Sequence, residues 1–151
     1  MERQQHQPQP QLTYRGTVYP WHCDHMGHMN VMWYTGKFDE ATWQLFGFLG
    51  LTPQWLKANG RGMAAVQQLT EYRRELCAGD LVSIHTRLLE VKPKALRLRH
   101  EMRCDGTGEV AAVTTLTGVH LDTALRKACA LPDEWLARWR EMVPAPETVA
   151  A

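Results

Sequence analysis

Net charge is nearly absent from this chain. Its 17 basic and 16 acidic side chains leave +1 over 151 residues. Such a balance makes no global field to draw the chain to nucleic acid or an acidic membrane, so neither is expected as a partner. Long apolar runs are missing too. None would span a bilayer, and the N-terminus lacks the apolar core of a secretion signal. Cysteine is sparse: Cys23, Cys77, Cys104 and Cys129 show neither CxxC spacing nor the density of a secreted scaffold. They read as reduced thiols in a cytoplasmic protein. No internal repeat is evident.

What is present is one domain's worth of patterned sequence. Residues 1–10, rich in Gln and Pro, read as a disordered tail, 11–143 as the domain and 144–151 as a fraying end. Leu12, Tyr14, Gly16 and Val18 alternate with polar residues as a short strand ending near Pro20. From Val31 the apolar positions Val31, Tyr34, Phe38, Ala41 and Leu45 recur at steps of three and four, one face of an α-helix running to about Phe46. Trp33, Trp43 and Phe46 widen that face nearly all round, which predicts a buried helix. The connector Leu51–Gly62 has room for one helical turn around Trp55 and Leu56.

The second half changes period. Met63–Leu76, Leu81–Val91 and Val110–Leu121 read as strands, and Leu96–Cys104 alternates apolar residues with Arg97, Arg99, Glu101 and Arg103. That sheet has one wet face. Asp105-Gly106 marks a hairpin. Pro132-Asp133-Glu134 opens a last helix that packs through Trp135, Trp139 and Met142. The class is α+β. An antiparallel five-stranded sheet, its strands joined by short turns, wraps a long central helix, with a C-terminal helix added.

The stretch with chemistry in it is Asp24-His25-Met26-Gly27-His28-Met29-Asn30. Asn30 suits a helix N-cap, and the helix start it opens is a natural seat for an oxyanion. Asp24 reads as a loop-bracing acid, or as a general base or nucleophile facing a carbonyl on those N–H groups. Metal ligation by His22, Cys23, His25 and His28 is disfavoured, because four ligands crowded into seven residues do not map onto a tetrahedral site. No metal is expected. Asp39 and Glu40, further along the helix, are a weaker catalytic option, or partners for an Arg or a dimer contact.

Asp24-x-x-Gly27-His28-x-Asn30, followed by Tyr34 and Phe38-Asp39-Glu40-Ala41, resembles the signature of hot-dog acyl-CoA thioesterases of the 4-hydroxybenzoyl-CoA thioesterase type. Glu71-Tyr72-Arg73-Arg74, Gly79-Asp80-Leu81 and Val119-His120-Leu121-Asp122 are similar to that family's later strands. The resemblance runs from about Leu12 to Arg140. Asp-x-Asn-x-His-x-Asn in plant acyl carrier protein thioesterases is similar as well, except that Met26 stands where that run has its first Asn. The resemblance implies the hot-dog fold and hydrolysis of an acyl-CoA thioester. It also implies Asp24 as nucleophile or base, His28 and Asn30 in supporting roles, and backbone N–H groups near Asn30 and Val31 as the oxyanion site. No cofactor is implied, coenzyme A being part of the substrate.

Coenzyme A brings phosphates, so cations are needed. The candidates are Arg73 and Arg74, Lys92 and Lys94 at a turn, and Arg97 and Arg99 with Arg103 on one strand face. Trp21, Met29, Met32 and Trp33 are the candidates for the acyl pocket. Exposed sheet edges and the family likeness imply a homodimer, or a homotetramer. Two rivals remain, a non-catalytic acyl-CoA-binding regulatory module and a hot-dog enoyl-CoA hydratase. The Asp-x-Asn-Pro-x-His run of the hydratases is absent.

Overall fold

Asn30 is where the chain commits to its long helix. Its backbone is extended and its side-chain oxygen accepts the Met32 N–H at 3.0 Å, which starts α1 (Val31–Leu49). Gly50, at φ +98°, ends it in the left-handed conformation that costs glycine least. The computed structural model describes residues 7–146, and the expectations for 1–6 and 147–151 lie outside them. Gln7–Pro10 has no regular structure. Around α1 follow β1 (Gln11–Thr17), one 3₁₀ turn at Pro20–His22, α2 (Pro53–Asn59), β2 (Arg61–Tyr72), β3 (Leu81–Val91), β4 (Ala95–Cys104), β5 (Val110–Asp122), β6 (Lys127–Ala128) and α3 (Asp133–Arg140). Among the described residues no helix is long and apolar enough to cross a membrane.

The strands form one antiparallel sheet in the order β1-β3-β4-β5-β2, with the two-residue β6 paired to β5. This is the expected sheet around a helix, with one difference. The later strands are not all joined by short turns: β2 pairs with β5, so the link from β2 to β3 crosses the end of the sheet. Strand β2 stops at Tyr72, short of the expected Leu76, because the N–H groups of Arg73 and Arg74 both turn to the Ala111 carbonyl, at 2.8 and 3.0 Å. The crossing segment then runs beside the Asp24 loop and accepts the Met29 N–H at the Leu76 carbonyl, at 2.7 Å. A long-range pairing thus builds a wall beside the helix start.

Burial on α1 is one-sided, which corrects the expectation of a helix enclosed all round. Tyr34, Lys37, Phe38, Ala41, Thr42, Leu45, Phe46 and Leu49 face the sheet, while Val31, Met32, Trp43 and Phe48 are exposed, as are Asp39 and Glu40. A single curled sheet covers only one side of a helix. Large side chains such as Phe38 and Leu45, almost wholly buried, each contribute about 1.5–3 kcal/mol through removal from water. Lys37 is buried among them, its ammonium donating to the Tyr14 hydroxyl at 2.8 Å.

The core divides into two apolar clusters, one under each half of α1. Between them sits a polar layer. The ring of His100 meets the Thr42 hydroxyl at Nε2 (2.7 Å) and the Thr86 hydroxyl at Nδ1 (2.6 Å), and Thr86 meets Thr13 at 2.7 Å. Burial pushes the His100 pKa down to about 3.

Candidate active site

The residues from Asp24 to Asn30 form a tight hairpin closed by its own backbone. Gly27 donates to the Asp24 carbonyl at 2.9 Å, Asp24 donates to the His28 carbonyl at 3.1 Å, and Asn30 donates to the His22 carbonyl at 2.8 Å. Gly27 supplies the left-handed residue this turn needs, at φ +84°. The hairpin leaves the Asp24 carboxylate beside the first turn of α1.

Both oxygens of Asp24 are anchored. Oδ1 accepts the Met26 N–H and Oδ2 accepts from Asn30 Nδ2, each at 2.8 Å. Asn30 therefore works at both ends of its amide: the oxygen caps α1 while the nitrogen holds the carboxylate. The Asn30 bond first, and the Met26 N–H second, keep the carboxyl below its ordinary pKa of 3.8. Asp24 is thus an oriented anion at neutral pH. Met32 N–H is taken by Asn30, and Trp33 N–H reaches the Asn30 carbonyl at 3.0 Å. Among the described residues, Val31 N–H has no such partner, and Val31 borders the same space as Asp24.

That space is a cleft of about 310 Å³ between the helix start and the crossing segment. Asp24, His28, Met29, Val31 and Tyr34 line one side, and Tyr72, Arg73, Arg74 and Glu75 the other. His28 Nε2 lies 3.0 Å from Glu75 Oε2, a link between the two sides. Tyr34 donates its hydroxyl to the Arg74 carbonyl at 3.2 Å and packs edge-on against Tyr72. Burial pushes the Tyr34 pKa up to about 12, so the phenol stays neutral.

Of the candidates read from sequence, Asp24, His28, Asn30 and Val31 converge at the helix start, and Met29, Arg73 and Arg74 share the cleft with them. The rest disperse. Trp21 stacks on Tyr19 at 4.5 Å and Trp33 leans on His22, lining a separate cleft with Lys37 and Glu40, while Met32 is exposed. His22 spends its Nδ1 on the Tyr19 N–H at 3.0 Å. Lys92 and Lys94 occupy the β3–β4 turn, at the opposite end of the strands from Asp24. Arg97 and Arg99 lie on the outer face of the sheet. One protomer therefore does not gather these cations around Asp24. Among the described residues no three of His, Cys, Asp and Glu stand close enough to hold a metal ion. Glu75, Tyr72 and Met26 were missed. Glu75 directly follows the Glu71-Tyr72-Arg73-Arg74 run, but nothing local shows that the run folds back onto the helix start.

Known proteins resemble this chain over most of its length. The chain is 27% identical over 143 residues to a betainyl-CoA thioesterase of Pseudomonas aeruginosa, covering 91% of this chain and 90% of that one. It is 29% identical to the long-chain acyl-CoA thioesterase FadM of Escherichia coli, covering 89% and 98%. A Staphylococcus aureus protein solved in complex with CoA superposes with a TM-score of 0.82 at 20% identity, over 94% of both chains, which shows the fold. The profile of the thioesterase-like superfamily matches residues 18–139, nearly the whole described domain and all of the Asp24 cleft. The chain belongs to that superfamily and is a thioester hydrolase of the hot-dog fold.

Proposed function

We propose that this chain hydrolyses an acyl-CoA thioester to the free acid and CoA, with Asp24 as the reacting carboxylate and Val31 N–H as the oxyanion donor. The observation that carries the reading is the juxtaposition of an anchored anion and an unpartnered helix N–H in one cleft. The acyl-CoA names of the relatives support the substrate class.

In this reading the thioester carbonyl oxygen lies on the Val31 N–H, where the helix dipole favours the negative charge that develops on it. Asp24 either attacks the carbonyl carbon, expelling the CoA thiolate and giving a mixed anhydride that water then hydrolyses to the free acid and the regenerated carboxylate, or takes a proton from a water that attacks. Both routes need the ionised carboxylate that Asn30 and Met26 maintain. His28, paired with Glu75, supplies the proton to the departing thiolate. Tyr34 and Tyr72 close the apolar side of the cleft. We also place a second copy against the long edge of β2, where Val66, Leu69 and Tyr72 are exposed. An edge of this length is otherwise open to uncontrolled pairing.

The test is thiol release from a panel of acyl-CoA esters by the wild type and Asp24→Asn. Loss of about 10²–10⁴-fold in kcat is expected if Asp24 carries the step, with acyl-CoA binding and cooperative unfolding retained. Unchanged turnover would move the chemistry elsewhere. A single turnover in ¹⁸O-water tests the first route, since label enters the Asp24 carboxylate only when water opens a mixed anhydride at the Asp24 carbonyl.

A further inference from the structure

The Asp24 cleft uses the helix side and the ends of the strands, and the outer face of the sheet carries its own pattern. Across the register from β2 to β3, Leu69 faces Thr115, Thr115 faces Arg99, and Arg99 faces Arg87. The next row is Glu71, Val113, Glu101 and His85. Two arginines directly opposite each other on neighbouring strands repel, which destabilises a sheet unless an anion sits between them. Arg103 adds a third guanidinium to the same concavity, of about 530 Å³, with Pro10 at its wall. Among the described residues its sole carboxylate is Glu101, already shared between Arg103 and Arg99, the latter at 3.8 Å. Among the described residues Arg87 makes no ion pair, and His85 Nδ1 and Arg99 Nε are shielded from water with no hydrogen-bond partner. Shielded nitrogens without partners are uncommon in folded proteins, and both residues belong to the lining of this basic hollow.

This hollow and the cleft are related through shared lining residues. A third depression, lined also by Leu69, Glu71, Leu89, Val113 and Thr115, shares Arg73 with the Asp24 cleft and Arg99 with the basic hollow. Shared arginines thus mark a succession of depressions from the Asp24 cleft to Arg87, with Glu71 the carboxylate between them.

We infer that the outer face holds a phosphate site in which Arg87, Arg99 and Arg103 bind a phosphoryl group. Planar guanidinium forks match phosphate oxygens. The phosphate has two sources, the nucleotide end of coenzyme A lying along the depression, or a free nucleotide docking by itself. The first source rests on the acyl-CoA reading above. The second does not.

The experiment has two arms on the full chain. One measures kcat/KM for an acyl-CoA and for the same acyl-pantetheine, which lacks the phosphates, and takes their ratio. The other measures binding of adenosine 3′,5′-bisphosphate by calorimetry. If coenzyme A is the source, Arg87→Gln lowers the ratio about ten-fold, through KM. Arg87→Lys recovers part of it, and the bisphosphate competes with acyl-CoA. If the source is a free nucleotide, bisphosphate binding is lost in Arg87→Gln while the ratio stands. A wild type that hydrolyses no thioester, yet binds bisphosphate through Arg87, sinks the acyl-CoA reading and leaves the phosphate site. A folded Arg87→Gln protein with both readouts unmoved overturns the site. A changed assembly size with both unmoved also overturns it, by assigning this face to a second copy.

Discussion

At the start of α1, Asp24 takes its hydrogen bonds from an amide side chain and a backbone N–H, at the mouth of a cleft. Beneath the middle of the same helix, His100 is enclosed by the hydroxyls of Thr42 and Thr86 and reaches no solvent. Each is an ionisable group fixed by two hydrogen bonds, yet they are held in opposite states. The partners of Asp24 are donors only, so they stabilise the charged form. Hydroxyls serve equally as donors and acceptors, so they satisfy a neutral imidazole, and burial removes the water a charged one would need. Fixing a side chain does not decide whether it does chemistry. The kind of partner and access to a cleft decide that.

The comparison breaks most sharply by mutation. Asp24→Asn is expected to lose about 10²–10⁴-fold in turnover, while the unfolding curve moves little. His100→Ala is expected to do the reverse. It leaves a hole under α1 and takes one hydrogen-bond partner each from the Thr42 and Thr86 hydroxyls, costing about 3 kcal/mol in urea unfolding. Activity per folded molecule is retained. A His100→Ala protein of normal stability would show that the polar layer is dispensable.

A smaller effect comes with pH. His100 in the folded chain titrates near 3, below its ordinary 6.5. Between those values the unfolded chain binds a proton that the folded chain refuses, so stability is lost as pH falls through that window, at about 1.4 kcal/mol per unit. Asp24, also lowered, adds its loss in the same direction, but only as pH falls from the ordinary 3.8 through its lower folded value. Urea titrations from pH 7 to 4 in the wild type and in His100→Gln isolate the first contribution. A slope unchanged by that substitution would assign the proton to another group.

The sequence made the local half of this picture legible. Alternation along Leu96–Cys104 and Leu81–Val91 located β4 and β3, and the Asn30 cap with its neighbouring Asp24 located the helix start. What it did not carry was distance along the strands. Lys92 and Arg99 lie close in sequence, yet one sits at the far turn and the other faces the outer surface. Arg73 and Glu75, remote from Asp24 in sequence, come to it because β2 pairs with β5 and the chain must then cross the sheet end. Lys37, a charge inside an apolar face, was hidden because its Tyr14 partner lies on another element.

The smallest expected effect sharpens the comparison at the backbone. Gly27 sits at φ +84° with open space where a Cβ would point, nothing lying within 4 Å. Gly27→Ala therefore meets no steric obstacle, and its whole cost is the left-handed conformation, about 1–2 kcal/mol for an L-residue. The turn relieves that strain by opening, and the first contact to loosen is the Met26 N–H on Asp24 Oδ1, one residue away. Removing one of the two donors that lower the carboxyl raises its pKa. In the pH profile of kcat/KM the acid limb should move upward in Gly27→Ala, with a modest fall at neutral pH. The His100 slope of stability against pH should be untouched. An acid limb that stays in place while stability falls would mean that the hairpin only braces the fold, and that Asn30 alone orients Asp24.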